Sequence, residues 1–281
     1  MNSKKAITLL VLATLILSIT PLVITNAITV VSVLDEDLLP LGLVVYDDTI
    51  IVQGTGATPG RNVNVYWDAI DEWDGESGLL NSTKAEGDGS YEIWFDVPEA
   101  VNGDHFISVE NVRNGDVDTW GTALTVAARI KLSPSSGLPG DEVTIKGYGF
   151  DDEVEIIDVN FDGADIDTSP STPETDDLGS WTATFDVPSL GYGTYTVDAT
   201  DENANTDDAD FEVGAAITLN KVEGPSGTVV RISGRGFTPG AGIGNGTILL
   251  DVVACGVITE NAKQIKRKLL LLYNVLTFDV F

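Results

Sequence analysis

The sequence predicts an all-β protein built of tandem β-sandwich domains, and three observations carry that prediction. The first is an internal repeat. Gly89-Ser90-Tyr91-Glu92-Ile93-Trp94-Phe95-Asp96-Val97-Pro98 returns about 90 residues later as Gly179-Ser180-Trp181-Thr182-Ala183-Thr184-Phe185-Asp186-Val187-Pro188. The second is a Gly-x-Gly after an apolar run, at Gly54/Gly56, Gly147/Gly149 and Gly234/Gly236. Its period is again about 90 residues, the size of one sandwich rather than one solenoid turn. The third is a periodicity of two: Val143 and Ile145 alternate with Thr144 and Lys146, and Trp181, Ala183, Phe185 and Val187 alternate with Thr182, Thr184 and Asp186. Strands with one apolar face need a second sheet to cover it.

Residues 1–27 read as a secretory signal peptide. Lys4 and Lys5 form the basic end, Ala6 to Ile19 the apolar stretch, and Thr25-Asn26-Ala27 the small-residue cleavage site. The apolar stretch is too short to argue for a stable membrane span. Residues 28–127 form the first sandwich, opening with Ile51-Val52-Gln53-Gly54-Thr55-Gly56, and residues 128–214 form the second. There Tyr195, Val197 and Ala199 alternate with threonines and Asp198, and Ala209, Phe211 and Val213 close the domain. Residues 215–253 begin a third, incomplete copy through Val230-Arg231-Ile232-Ser233-Gly234-Arg235-Gly236-Phe237. Short linkers are expected near Ala127-Ala128 and Gly214-Ala216.

The glycine pairs should sit at bulges or turns with positive φ, with Phe150 and Phe237 folding back onto the core. Pro98 and Pro188 should end their strands. Residues 254–281 then depart from the acidic, glycine-rich texture: Lys263, Lys266, Arg267 and Lys268 precede Leu269 to Leu272 and an apolar end at Phe281. This tail reads as a truncation or frameshift product; the competing reading is a basic-apolar segment that docks on a membrane or a partner.

One stretch resembles a known family. Ile130-x-Leu132-x-Pro134-x-x-Gly137-x-x-Gly140-x-x-Val143-x-Ile145-x-Gly147-x-Gly149-Phe150 is similar to the opening of IPT/TIG-type immunoglobulin-like domains. The third copy matches through Gly224, Pro225, Gly227, Gly234, Gly236 and Phe237; the first keeps Gly54, Gly56, Pro59 and Gly60. The resemblance implies tandem immunoglobulin-like β-sandwiches of the kind found in prokaryotic, especially archaeal, cell-surface and S-layer-associated proteins. It implies no shared catalytic residues.

Composition excludes several functions. The 281 residues carry 44 acidic and 15 basic side chains, for a net charge of −29. Such a surface repels a phosphate backbone, so nucleic acid is not a partner. One Cys forms no internal disulfide, and a triad or His-ligated metal site would have to run through His105 alone. Gly240, Gly242, Gly244 and Gly246 have no Lys-Ser/Thr behind them to hold a phosphate. The chain is therefore expected not to be an enzyme. Its acidity suits a saline habitat, a crowded surface layer or diffuse binding of divalent ions.

Calcium is the cofactor candidate. Asp201, Asn203, Asn205 and Asp207 recur at every second residue, and Asp151 and Asp152 follow the second Gly-x-Gly. Hard cations take several such oxygens, although Asp and Asn are also ordinary turn residues. Carbohydrate is the other ligand candidate. Trp67 and Trp120 are in phase with core positions, whereas Trp94 is out of phase and Trp73 lies in an acidic loop, so Trp73 and Trp94 could stack on sugars. Asn81 and Asn245 head glycosylation sequons. Together these residues predict a non-enzymatic, secreted or cell-surface structural or adhesive protein: a stalk, S-layer or envelope-associated component. Its partners would be other surface proteins or glycans, and a membrane only through the signal peptide, a missing C-terminal anchor or the tail. The alternative is a carbohydrate-binding or accessory module of a larger secreted enzyme.

Overall fold

The computed structural model describes residues 27–225 and 228–238 and the backbone of 278–280. The signal-peptide segment, Asn245, Cys255 and the basic run near Lys263 lie outside the described residues. The described chain is all-β and forms tandem immunoglobulin-like β-sandwiches, with no helix among the described residues. The first repeat supplies β1 (Thr29–Leu34), β2 (Leu43–Val44), β3 (Thr49–Thr55), β4 (Asn62–Trp67), β5 (Gly78–Lys84), β6 (Tyr91–Asp96), β7 (Gly103–His105), β8 (Ile107–Asn111), β9 (Asp116–Thr119) and β10 (Leu124–Val126). The second supplies β11 (Arg129–Ser133), β12 (Ser136–Gly137), β13 (Glu142–Tyr148), β14 (Ile156–Phe161), β15 (Ala164–Asp165), β16 (Trp181–Asp186), β17 (Gly193–Asp201) and β18 (Thr206–Val213). β19 (Ala216–Leu219), β20 (Ile232–Arg235) and β21 (Phe278–Val280) follow.

The molecule divides into two compact units. One takes the chain up to Gly42, Thr49–Phe95 and His105–Ala123; the other takes Leu43–Asp48, Asp96–Asp104 and the chain from Leu124. The first unit holds the sheets β1-β3-β6 and β5-β4-β8-β9. Val63, Val65, Trp67, Ile107 and Val109 are fully buried there. The second unit holds β11-β13-β16 and the five-stranded β12-β18-β17-β14-β15. Their apolar faces enclose Val143, Ile145, Phe150, Phe161, Trp181, Phe185 and Phe211. Phe161 meets Phe185 and Phe211 edge-on, with ring centroids 6.1 and 5.7 Å apart, a favoured quadrupolar arrangement.

Both repeats share one topological device. A short strand leaves the first sheet and pairs in parallel with the repeat's last strand. β12 aligns Ser136 with Glu212, and β2 aligns Leu43 with Thr125. Strand ends follow the prolines as expected. Val97 and Val187 donate to the Asp48 and Asp141 carbonyls, and the prolines after them have no N–H with which to extend a ladder.

The two glycines of each pair do different work. Only the second has positive φ: Gly56 at 84°, Gly149 at 65° and Gly236 at 72°. A Cβ at those positions would overlap the Ala27, Ala127 and Gly214 carbonyls, which open the respective repeats. The first glycine instead seats an aromatic ring. A Cβ on Gly54 would overlap the Tyr91 ring, and one on Gly147 the Trp181 indole.

Phe150 is fully buried, as expected, but Phe237 is not: it is 45% exposed and lies against Gly234. Ile217 is 62% exposed, whereas its counterpart Ile130 is 4% exposed. The physical reason is that no second sheet covers β19 and β20 among the described residues. β21 joins β20 in parallel, Ile232 opposite Phe278. Its Phe278-Asp279-Val280 shares a tripeptide with residues 95–97 and 185–187, but β16 pairs antiparallel with β13 whereas β21 is parallel to β20. Trp120 is also a correction. It is half-buried rather than core, because the strand breaks between Thr119 and Leu124 and resets the phase.

Gly147→Ala should therefore force the buried Trp181 off its seat and destabilise the protein by about 2 kcal/mol or more. Gly149→Ala should do the same through its positive φ and the Ala127 carbonyl. Urea denaturation of the full chain checks both; a loss below about 0.5 kcal/mol at either position would contradict this packing.

Candidate functional site

Inside the second unit, β10 passes into β11 with two residues between them, and β18 into β19 likewise. Neither connection is loose. Ala127 donates to the Val44 carbonyl at 2.9 Å and Gly214 to the Gly137 carbonyl at 2.7 Å. Arg129, at the start of β11, donates through Nη1 to the Tyr46 carbonyl at 2.5 Å and faces Asp48 at 3.4 Å. Asp48 also accepts from the Val45 N–H at 2.9 Å.

The pattern returns one repeat later. Arg235 donates through Nη1 to the Pro139 carbonyl at 3.0 Å and faces Asp141 at 3.6 Å, while Asp141 accepts from the Leu138 N–H at 2.9 Å. The guanidinium comes from β11 in one case and β20 in the other. Arg129 pairs with Tyr148, and Arg235 pairs with Ala216, so equivalent corners of the same strand pair supply it. Loop N–H groups cross the connections too: Asn102 donates to the Phe150 carbonyl at 2.9 Å and Tyr192 to the Gly236 carbonyl at 2.6 Å.

The first connection carries an added layer. Tyr46 and Tyr148 stack with centroids 4.0 Å apart, and Lys131 Nζ lies 4.9 Å from the Tyr46 centroid and 2.7 Å from Asp47. The Lys131 hydrogen bond and charge hold the Asp47 carboxyl below its ordinary value, and burial pushes the Tyr148 hydroxyl up. Sequence reasoning passed over Arg129 and Arg235. Part of their signal was present: Arg129 stands next to a repeat boundary, Arg235 sits inside the third Gly-x-Gly, and Asp48 and Asp141 recur at the same place in the repeat.

The loop residues singled out for calcium are only partly brought together. Asp201 is fully buried. Its Oδ1 accepts from the Asn203 and Asn205 N–H groups, both at 2.9 Å, and its Oδ2 from Asn205 Nδ2 at 2.8 Å and the Asp151 N–H at 3.3 Å. Asn203 Nδ2 donates to Asp151 at 2.7 Å. Asp152 is exposed. Asp207 faces away, accepting from the Ile130 N–H at 2.7 Å; burial raises its pKa and that bond opposes the rise. Hydrogen-bond donors thus occupy the oxygens that ligation would use, and among the described residues no group of three or more His, Cys, Asp or Glu is placed to hold a metal.

In the first unit Trp67 is buried and stacks on His105 at 4.8 Å. His105 Nδ1 lies 2.6 Å from Asp68 Oδ2, so the histidine is a packed residue. Trp73 and Trp94 are 40% and 47% exposed. Trp94 is on β6, where Tyr91, Ile93 and Phe95 point inward. Asn81 is exposed on β5, and its Nδ2 donates to the Trp94 carbonyl at 2.6 Å.

Residues 130–213 match the IPT/TIG domain. No curated protein matches the chain. Among solved structures it is similar to invasin, a bacterial integrin-binding protein, at 16% identity over 69% of this chain and 42% of that one, with a TM-score of 0.29. It is also similar to SGBP-B from a complex xyloglucan utilization locus in Bacteroides uniformis, at 18% identity over 65% and 48%, with a TM-score of 0.24. A third is the Yersinia pseudotuberculosis adhesin InvE, at 14% identity over 67% and 60%, with a TM-score of 0.27. The chain spans about half or less of the first two. Likenesses at this level carry no argument about what the chain binds.

Asp201→Asn should turn an amide N–H toward donors and cost about 1–3 kcal/mol. The loss should be equal in excess calcium and in chelator; a calcium-dependent loss would restore the metal reading. A depressed carboxyl contributes above its unfolded pKa and stops contributing as pH falls through its folded one. Lys131→Met should therefore lower the urea midpoint at pH 7, and the gap to wild type should close as pH drops below about 4. A gap that persists at low pH would mean that Lys131 acts only by packing.

Proposed function

We propose that the chain is a non-catalytic, exported, cell-surface spacer of tandem immunoglobulin-like domains, 28–127, 128–214 and a third from 215, whose connections at Ala127-Ala128 and Gly214-Ala216 are clamped. The guanidinium clamp repeated at Arg129 and Arg235 carries this reading. Exposed ion pairs are worth little to global stability, so a clamp that recurs at two connections is better accounted for by fastening the connection itself than by stability. The IPT/TIG match over 130–213 and the leader pattern of residues 1–27 support the same reading. Such a spacer suits a stalk, a surface layer or an envelope-associated adhesin, with surface proteins or glycans as partners. A second reading, a glycan-binding accessory module, is favoured by the exposed indole of Trp94.

Limited proteolysis of the Arg129→Ala/Arg235→Ala double variant tests the spacer. Cleavage near Ala127-Ala128 and Gly214-Ala216 should accelerate about tenfold while far-ultraviolet circular dichroism stays unchanged. If wild type is cut there equally fast, the connections are hinges and the proposal falls.

A further inference from the structure

The outer face of β6 holds a side-chain arrangement that the spacer role does not use. Trp94 is 47% exposed, yet its indole N–H is satisfied: Nε1 donates to Glu92 Oε1 at 2.7 Å. Gln53 Nε2 donates to Glu92 Oε2 at 2.9 Å, and Ser32 Oγ donates to Gln53 Oε1 at 3.2 Å. This relay runs from β6 across β3 to β1 and anchors the ring. The Trp94 and Gln53 donors also hold the Glu92 carboxyl below its ordinary value. The Asn81 bond to the Trp94 carbonyl ties the backbone of β6 to β5, the edge strand of the facing sheet.

Next to Glu92 lies an open groove of about 550 Å³, lined by Val31, Gln53, Thr83, Lys84, Glu86 and Glu92 among others. That volume is within the roughly 300–1,000 Å³ typical of ligand sites. Neither Trp73 nor Trp94 is part of its lining. Trp94 is linked to the groove through Glu92, which lines it and accepts from the indole N–H.

We infer that Trp94, Glu92, Gln53 and Lys84 form a binding site for a neutral polysaccharide. An anchored, half-exposed indole suits the C–H face of a pyranose ring. Lys84 supplies a donor, and Glu86 and Glu92 supply acceptors, for ring hydroxyls. The two glutamates, in a chain of net charge −29, disfavour sulfated or uronic polymers. This inference rests on the second reading above and uses first-unit residues only, so it stands or falls apart from the clamp.

Affinity electrophoresis of the full chain tests it, in gels containing hydroxyethylcellulose, mannan or laminarin. Wild type should be retarded in at least one gel, with the retardation unchanged by 0.5 M sodium chloride. Trp94→Ala should weaken that binding about tenfold, Trp94→Phe should recover part of it, and Lys84→Ala should weaken it less. Phe106→Ala, another exposed aromatic of the first unit, should bind as wild type. Migration without retardation in all three gels would overturn the inference, as would Trp94→Ala binding like wild type. Retardation abolished by salt would also overturn it, since stacking and hydrogen bonding to an uncharged polymer are not screened by ions. Circular dichroism of each variant separates lost binding from lost fold.

Discussion

An aromatic side chain packed against a glycine is the contact on which the rest of each sandwich depends. Trp181 occupies the space a side chain at position 147 would fill, and Tyr91 does the same over Gly54. In the second repeat this sets the pairing of β13 with β16: Gly147 opposite Trp181, Ile145 opposite Ala183, Val143 opposite Phe185. A slip of one residue would turn that whole apolar set toward solvent. The price is visible, since Trp181 Nε1 is buried without a hydrogen-bond partner among the described residues. In the first repeat the tyrosine hydroxyl avoids that cost by donating to the Thr29 carbonyl at 2.9 Å.

The same strands also govern how one repeat passes into the next. Two residues beyond the aromatic seat, the second glycine turns the chain with positive φ so that it can pass the carbonyl opening its own repeat. That close approach leaves little slack, and the arginine of β11 or β20 then reaches the carbonyl and carboxylate of the preceding loop. Because β11 and β13 are neighbours, as are β19 and β20, the guanidinium can come from either strand and still arrive at the same corner. The acidic residue it meets is also occupied locally by a backbone N–H, which orients the carboxylate before the arginine reaches it.

The strongly acidic loops illustrate how residue type and residue role come apart. Asp201 has the spacing of a ligand, but its oxygens tie up a tight turn, as Asp and Asn do whenever nearby N–H groups are within reach. Phe237 shares its motif with Phe150 and yet stays half-exposed, since burial belongs to the opposing sheet and not to the motif. Trp120 shares a phase with Leu124 and Val126 on paper, but the strand is broken between them. Phe278-Asp279-Val280 has the letters of Phe95-Asp96-Val97, but β21 runs parallel to β20 where β16 runs antiparallel to β13, so a shared tripeptide does not make a shared place in the sheet.

Sequence alone was enough for the β class, the repeat length, the two-residue periodicity and the outward placement of Trp94, because these are local properties of one strand and its pleat. It also located the turns, since glycine permits the positive φ that turns need and proline fixes φ and ends a ladder. The tertiary structure decided which glycine seats a ring and which one turns the chain, which carboxylates are spoken for by N–H groups, and which arginines bridge successive repeats. The glycine contacts and the arginine bridges depend on residues far apart in the chain arriving at one corner, and the one-dimensional pattern holds no record of that distance. The carboxylates of the tight turns are held by N–H groups only two to four residues away, where residue type alone does not tell a turn from a ligand.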